Sequence, residues 1–126
     1  MEILEIKKIL PLLLLSGCVS FWDDNQSESI INVRQAVHQL DCTLPQAPQI
    51  KNIKDNLQWL ELYSDSKGRS QKDIKNLIAP ISETIDSFYT RTVEQEGSTT
   101  YCISKKIILQ IQVDSAASTV LGRAKI

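Results

Sequence analysis

The sequence contains little histidine, glycine or proline: its 126 residues include one His, four Gly and four Pro. So few glycines and prolines exclude a long low-complexity segment. The chain also lacks a phosphate-binding loop, a zinc-ligand motif and a nucleophile elbow. Its net charge of −1 excludes the basic field that nucleic-acid binding requires. We therefore expect no enzyme, no nucleic-acid partner, no cofactor or metal, and no small-molecule substrate.

A short apolar run near the N-terminus is typical of a secretory signal. Lys7 and Lys8 precede an apolar segment over residues 9–15, which leads through Ser-Gly to Cys18. The run is far shorter than the roughly 20 residues that a helix needs to cross a bilayer. Residues 1–17 are therefore predicted to be a leader that is removed. The alternative is a buried helix that ends in an ordinary cysteine.

The end of this leader, Leu15-Ser16-Gly17-Cys18, resembles the bacterial lipobox. The resemblance implies that Cys18 is acylated and becomes the new N-terminus, and two or more acyl chains hold a protein firmly on a bilayer. The next residue is Val19 rather than the aspartate that signals inner-membrane retention. We expect a lipoprotein anchored in the outer membrane and facing the periplasm, with residues 18–27 as its tether.

Cysteine counting favours a disulfide. Lipidation would consume Cys18, which leaves Cys42 and Cys102 as an even pair in an oxidising compartment. Such a bridge would stabilise the domain by roughly 4 kcal/mol in the chain-entropy account. The alternative pairs His38 with Cys42 on one helix face, as nucleophile and base or as two metal ligands. Two ligands are too few for a structural zinc site, so the disulfide is the preferred interpretation.

Apolar residues at spacings of three or four predict the first two helices. The first is expected from about Ser27 to Asp41, with Ser27 or Ser29 as its N-cap. The proline-containing segment 45–48 can open the second, which is expected to end near Tyr63. The two stripes are Ile30, Val33, Val37 and Leu40 in the first helix, and Ile50, Ile53, Leu57 and Leu60 in the second.

A third helix is predicted after a polar turn over residues 64–70, with Ser70 as its cap. Its apolar stripe continues from Ile74 to Thr92, and the helix is expected to end near Gly97. Pro80 interrupts the hydrogen-bond ladder. It predicts either a kink or a division into two shorter helices.

The segment 99–121 fits both a strand and a helix. Its alternation of apolar and polar residues over 109–114 is typical of a strand, but a lone strand could not satisfy its backbone groups. A helix is therefore preferred, with a frayed tail over 122–126. The expected fold is all-α, a small four-helix bundle over 28–121 stapled by one disulfide. Two helical stripes fit the last segment: Ile103, Ile107 and Ile111, or Cys102, Leu109, Val113 and Ala117.

In this order the segments resemble the small helical pilotin lipoproteins of type II secretion, the PulS/OutS group, over roughly residues 15–113. A helix ends at Cys42 and leads through a Leu-Pro step into the next. A third helix containing Tyr89 passes through a polar turn to Cys102 at the head of the fourth. In that group the equivalent cysteines bridge. The resemblance implies that the protein binds a disordered C-terminal segment of a secretin and helps to target and assemble it in the outer membrane.

Pilotins of this kind bind the secretin segment as a helix in an apolar groove. The same apolar residues would otherwise form the core of the bundle. Two other functions remain open: a phage-type outer-membrane spanin, suggested by the cysteine and prolines over 42–48, and a periplasmic inhibitor or exclusion lipoprotein. The predicted groove residues are Val33, Val37, Leu57, Trp59, Leu60 and Leu62.

Overall fold

Four helices account for most of the chain that the structure describes. The computed structural model describes residues 22–68, 71, 73–95 and 98–123. The elements are α1 (Asp24–His38), α2 (Gln46–Ser66), α3 (Ile74–Glu94) and α4 (Thr99–Leu121). Within those ranges there is no strand. The all-α prediction is confirmed, and 99–121 is a helix. The predicted leader and the lipidation site Cys18 lie outside the described residues.

Neighbouring helices run antiparallel. Asn25 at the start of α1 donates to the Tyr63 hydroxyl near the end of α2, 3.0 Å away. Lys75 at the start of α3 pairs at 3.1 Å with Asp65, also near the end of α2. Arg123, just after α4, donates to Gln26 in the first turn of α1, so the end of α4 lies beside the start of α1. Each helix packs mainly on two others, so that α1 and α3 both lie between α2 and α4.

The core is built from the predicted stripes. Full burial of one Leu, Ile, Val or Phe side chain contributes roughly 1.5–3 kcal/mol relative to exposure. The stripe of α4 that faces inward is the one that begins at Cys102. Buried apolar side chains from all four helices form one cluster: Ile30, Val33, Val37, Ile50, Ile53, Leu57, Leu60, Ile74, Ile78, Ile81, Ile85, Phe88, Cys102, Leu109, Val113, Ala117 and Val120.

The first helix begins one turn earlier than predicted. Asp23 has an extended backbone (φ −134°, ψ 121°), and its Oδ1 accepts from the backbone N–H of Gln26 at 3.0 Å. This is the N-cap arrangement that satisfies a free donor of the first turn. Ser27 and Ser29 lie buried inside the helix, so their prediction as caps was wrong. Residues 24–27, assigned to the tether, belong to α1.

The third helix is continuous through Pro80, so the predicted division into two helices was wrong. Proline removes the N–H that the carbonyl of Asn76 would otherwise receive. Both residues are exposed, so water can satisfy that carbonyl and the helix tolerates the interruption. The predicted cap Ser70 lies outside the described residues.

A disulfide closes one end of the bundle. The Sγ atoms of Cys42 and Cys102 are 2.10 Å apart, and their Cα atoms are 5.7 Å apart. The bridge joins the segment after α1 to the first turn of α4 across a sequence separation of 60. This confirms the predicted pair. The sulfur of Cys42 is bonded to Cys102, so in this structure it is no thiolate for the alternative pairing with His38.

A polar cluster closes the opposite end, formed by the buried residues Gln26, Ser64, Gln71 and Arg123 and by Asp73, whose side chain is 45% exposed. The Arg123 Nη1 donates to Gln26 Oε1 at 3.3 Å and to Gln71 Oε1, and its Nη2 donates to Asp73 Oδ2 at 2.7 Å. Gln26 Nε2 donates to the Ser64 hydroxyl at 2.9 Å. The side chain of Arg123 is only 4% exposed. Residues 122 and 123, predicted to be part of a frayed tail, therefore complete this end of the fold.

Candidate partner-binding surface

Four of the six predicted groove residues are core side chains. Val33, Val37 and Leu60 have no exposed surface, and Leu57 is 2% exposed. A helical partner cannot contact them without opening the bundle. Val33, Val37 and Leu60 therefore line no open groove in this structure, and Leu57 reaches only the floor of a cleft, because the stripes that predicted a groove are the stripes that hold the helices together.

The other two predicted residues, Trp59 and Leu62, are exposed on α2. Trp59 stacks on Tyr63 with ring centroids 4.9 Å apart. The Tyr63 hydroxyl in turn donates to Asp23 at 3.2 Å, so this aromatic pair supports the contact between α1 and α2. Leu62 lies one helical turn after Trp59, and within the described residues no further exposed large apolar side chain lies within one turn of either residue on α2. These two side chains do not form an extended apolar surface.

The clefts between helices are lined mainly by polar side chains. One cleft of about 160 Å³ lies between α2 and α3, with Leu57 and Ile85 at its floor. The Lys54 ammonium and the Asp86 carboxylate, 3.4 Å apart, cross it. A second cleft of about 320 Å³, beside Trp59, lies between α1 and α2. Its other lining residues are all polar: Asn25, Glu28, Ser29, Asn32 and Asn56.

The extended apolar surface lies on the outer side of α4. Nine large apolar side chains are exposed among the described residues, and four of them are isoleucines within 103–111. We call these four the isoleucine face. The clustering distinguishes this surface from single exposed apolar residues, which are ordinary. Its members are Ile103 (48% exposed), Ile107 (52%), Ile108 (42%) and Ile111 (68%).

The isoleucine face lies opposite the buried stripe of the same helix. A helix turns by about 100° per residue, so Ile111 points away from the midpoint between Leu109 and Val113, which are both fully buried. The face is roughly 12 Å long at about 1.5 Å per residue. Helix α4 therefore presents one apolar stripe to the core and another to the outside.

The edge of the face beside α1 is held by paired charges. The Asp114 carboxylate accepts from Arg34 Nε and from His38 Nε2, each at 2.8 Å. The hydrogen bond from His38 is the largest cause that holds the pKa of Asp114 below its ordinary value. Further along, the Lys106 ammonium donates to the Leu40 carbonyl at 2.8 Å. These contacts fix α4 against α1.

The edge beside α3 is organised around one tyrosine ring. Tyr101 packs edge-on against the buried Phe88, with ring centroids 5.6 Å apart. The Arg91 guanidinium lies 3.8 Å from the centroid of the Tyr101 ring, and the Lys105 ammonium lies 5.6 Å from it. Among the described residues, neither cation forms an ion pair. Two positive charges therefore border the isoleucine face on this side.

Sequence reasoning had grouped Ile103, Ile107 and Ile111 as a helical stripe without recognising them as a binding surface. The sequence did indicate an exposed apolar surface, because a helix with two apolar stripes cannot bury both against one bundle. Ile108 and the cations near Tyr101 were missed. Tyr101, Lys105 and Ile108 share helical spacing on α4, whereas Arg91 joins them only through the packing of α3 on α4, for which the sequence carries no local signal.

The described residues offer neither a metal site nor a membrane span. No group of three or more His, Cys, Asp or Glu side chains in 22–68, 71, 73–95 and 98–123 is placed to hold a metal ion. In the same part of the chain, no helix combines the length and the apolar character needed to cross a bilayer. The chain matches no protein-family model, no curated protein and no solved structure.

Proposed function

We propose that the protein is a pilotin-type lipoprotein, which binds the C-terminal segment of a secretin and carries it to the outer membrane. The observation that supports this most directly is the isoleucine face of α4. A segment with aliphatic residues at spacings of three or four can fold on such a surface as a helix and bury its own stripe. The proposal thereby moves the binding surface from the predicted inter-helix groove to the outside of α4.

The face has the rigidity that coupled folding and binding requires. A disordered segment loses conformational entropy when it orders, so its receptor gains affinity by being already organised. Isoleucine is branched at Cβ and has few χ1 rotamers in a helix. The disulfide fixes Cys102, the residue directly before Ile103, to the connection after α1. The binding surface therefore begins at the turn of α4 that the disulfide crosslinks to the rest of the bundle.

The lipid anchor would determine where in the cell the bound secretin segment is held. With acyl chains on Cys18, the protein would hold a bound secretin subunit at the outer membrane, where subunits assemble into a pore. Labelling of expressing cells with a radioactive fatty acid tests this part. We expect label on the wild-type chain and none on Cys18→Ser. An unlabelled wild-type product would remove the lipoprotein from the proposal.

The binding itself is tested with the oxidised mature protein and a fluorescent peptide from the C-terminus of the secretin of the same cell. We expect the double variant Ile107→Ser, Ile111→Ser to weaken binding by about tenfold or more, which corresponds to at least 1.4 kcal/mol. Leu62→Ser is the matched control, because Leu62 is 62% exposed on α2 and away from the face. Wild-type protein that fails to bind the peptide would refute the pilotin role.

A further inference from the structure

We propose that the Tyr101 edge of α4, formed by Tyr101, Arg91 and Lys105, recognises carboxylates on the partner. The segment that binds the isoleucine face would then be an amphipathic helix with aspartate or glutamate residues along one side of its aliphatic stripe. This inference rests on the proposed function for the use of the isoleucine face. It adds the charge of the partner and the direction in which the partner is oriented across α4.

The first support is the position of the cations. Lys105 lies one helical turn after Tyr101 and three residues before Ile108, so it stands directly beside the isoleucine face. The Arg91 guanidinium lies over the same tyrosine ring, 3.8 Å from its centroid. A contact with the ring face does not use the N–H groups at the rim of a guanidinium, which can still donate in its plane to a carboxylate.

The second support is that the edge is held in place. Phe88 is fully buried and packs edge-on against Tyr101, which positions the ring that carries both cations. A cation on an aromatic ring is attracted to it but is not neutralised. The charges of Arg91 and Lys105 are therefore positioned without being compensated by any carboxylate among the described residues.

The third support is the asymmetry between the two edges. On the α1 side, Arg34 is paired with Asp114, and Lys106 is bonded to the Leu40 carbonyl. On the α3 side, Arg91 and Lys105 contact the tyrosine ring and form no ion pair with any residue that the structure describes. A partner helix gains more from carboxylates on the α3 side, because carboxylates on the α1 side would have to compete with contacts already made.

The difference in charge pairing between the two edges also favours one kind of partner on the isoleucine face over the others. An anionic membrane is a uniform negative plane, and a protein surface adapted to it gains from free cations around its whole apolar face. A second copy of this chain, packed antiparallel through α4, would bring two Tyr101 edges together and place like charges side by side. A helix with acidic residues on one side fits the observed pattern best.

The test uses three synthetic helical peptides with identical aliphatic anchors at positions i, i+4 and i+7. They differ only in three residues along one side of the stripe, which are Glu, Gln or Lys. Binding to the oxidised full protein is measured by fluorescence anisotropy at low and high salt. We expect the Glu peptide to bind about tenfold tighter than the Gln peptide and the Lys peptide to bind weakest, with the preference lost at high salt.

The double variant Arg91→Gln, Lys105→Gln should abolish the preference for Glu while it leaves the affinity for the Gln peptide unchanged. The matched control is Lys51→Gln, Lys75→Gln, which removes the same charge from exposed ion pairs with Asp55 and Asp65. The control should keep the preference. Circular dichroism on both variants shows whether each remains folded, and partial neutralisation by Lys105→Gln alone should give an intermediate preference.

Equal affinity for the three peptides would overturn the acidic edge and leave the isoleucine face standing. If the Glu peptide binds and the secretin peptide does not, the proposed function fails while the recognition of an acidic helix holds. If no peptide binds but the protein associates with vesicles of anionic phospholipid, or sediments as a dimer that Ile111→Ser disrupts, the inference of a helical partner is overturned.

Discussion

The Arg123 guanidinium donates to the Asp73 carboxylate across 2.7 Å, at the end of the bundle opposite the disulfide. The same guanidinium donates to Gln26 and Gln71, so that one side chain after α4 contacts the first turn of α1 and the residues before α3. This relationship explains why a polar residue near the C-terminus is buried. For the same reason, we expect the free energy of unfolding to be more sensitive to substitution of Arg123 than to substitution of an exposed polar residue.

We expect Arg123→Met to lower the free energy of unfolding by about 2 kcal/mol. The substitution leaves the buried oxygen of Gln26 without its donor, and an unsatisfied buried group costs roughly 1–3 kcal/mol. Urea denaturation followed by circular dichroism measures the change. Arg34→Met is the control, because the pair of Arg34 with Asp114 is about half exposed and such pairs contribute little. Equal effects of the two variants would contradict a structural role for the buried cluster.

Removal of the disulfide should lower the free energy of unfolding substantially. We expect Cys42→Ser, Cys102→Ser to lose roughly 4 kcal/mol, because the bridge restricts an unfolded loop of 60 residues. Denaturation of the wild type with and without reductant measures the same quantity independently. A reduced wild type that unfolds at the midpoint of the oxidised protein would show that the bridge does not stabilise the fold.

The two stripes of α4 should respond differently to truncation. Leu109 is fully buried and Ile111 is 68% exposed. We expect Leu109→Ala to cost about 2–5 kcal/mol through a core cavity and Ile111→Ala to stay within about 0.5 kcal/mol. Thermal and urea unfolding of both variants check this. If Ile111→Ala destabilised the protein as much as Leu109→Ala, the isoleucine face would be a buried interface and not a free surface.

The contact between Asp114 and His38 should be visible in an acid titration. The hydrogen bond from His38 holds the pKa of Asp114 below its ordinary value of 3.8, and the charges of His38 and Arg34 act in the same direction. A carboxyl group whose pKa is lowered by folding stabilises the fold above its unfolded pKa. That stabilisation is lost as the pH falls through the lowered value.

We expect His38→Gln to raise the pKa of Asp114 towards 3.8, measured by carboxyl-detected NMR. Asp41 serves as an internal control, because its pKa is lowered by hydrogen bonds from Thr43 and should not respond to this variant. The loss of stability below pH 4 should become shallower at the same time. Titration of Asp114 at its ordinary value in the wild type would contradict the contact.

The periodic features of this fold could be predicted because each one depends on neighbouring residues. Stripes at spacings of three and four located the first three helices, and cysteine counting favoured the bridge between Cys42 and Cys102. The stripe pattern of 99–121 fitted a strand as well as a helix, and the helix was preferred because a lone strand could not satisfy its backbone groups. The start of α1 was misplaced because Asp23, Ser27 and Ser29 are all good N-cap residues. Only the packing of Ser27 and Ser29 against the bundle shows that the helix already includes them.

The binding surface was harder to predict because an apolar stripe has the same sequence pattern whether it is buried or exposed. The sequence pattern of four residues fitted a groove as well as a core, and their burial shows that they belong to the core: Val33, Val37, Leu57 and Leu60. Arg123 and Gln26 contact one another across a separation of 97 residues. No local sequence pattern predicts a contact between residues so far apart in the chain. Residues 122–126 were therefore predicted to be a frayed tail.

The positions of the two described chain ends have a mechanical consequence. Gln26 and Arg123 meet at one end of the bundle, whereas Ile107 stands on α4 roughly 20 Å from Leu121, at about 1.5 Å per residue. A solid support attached upstream of Trp22 would therefore hold the molecule at the end that contains Gln26 and Arg123. Sensors or beads coupled there leave the isoleucine face accessible on the side of the bundle, at a distance from the support, and a bulky fusion after Arg123 would crowd the attached end instead.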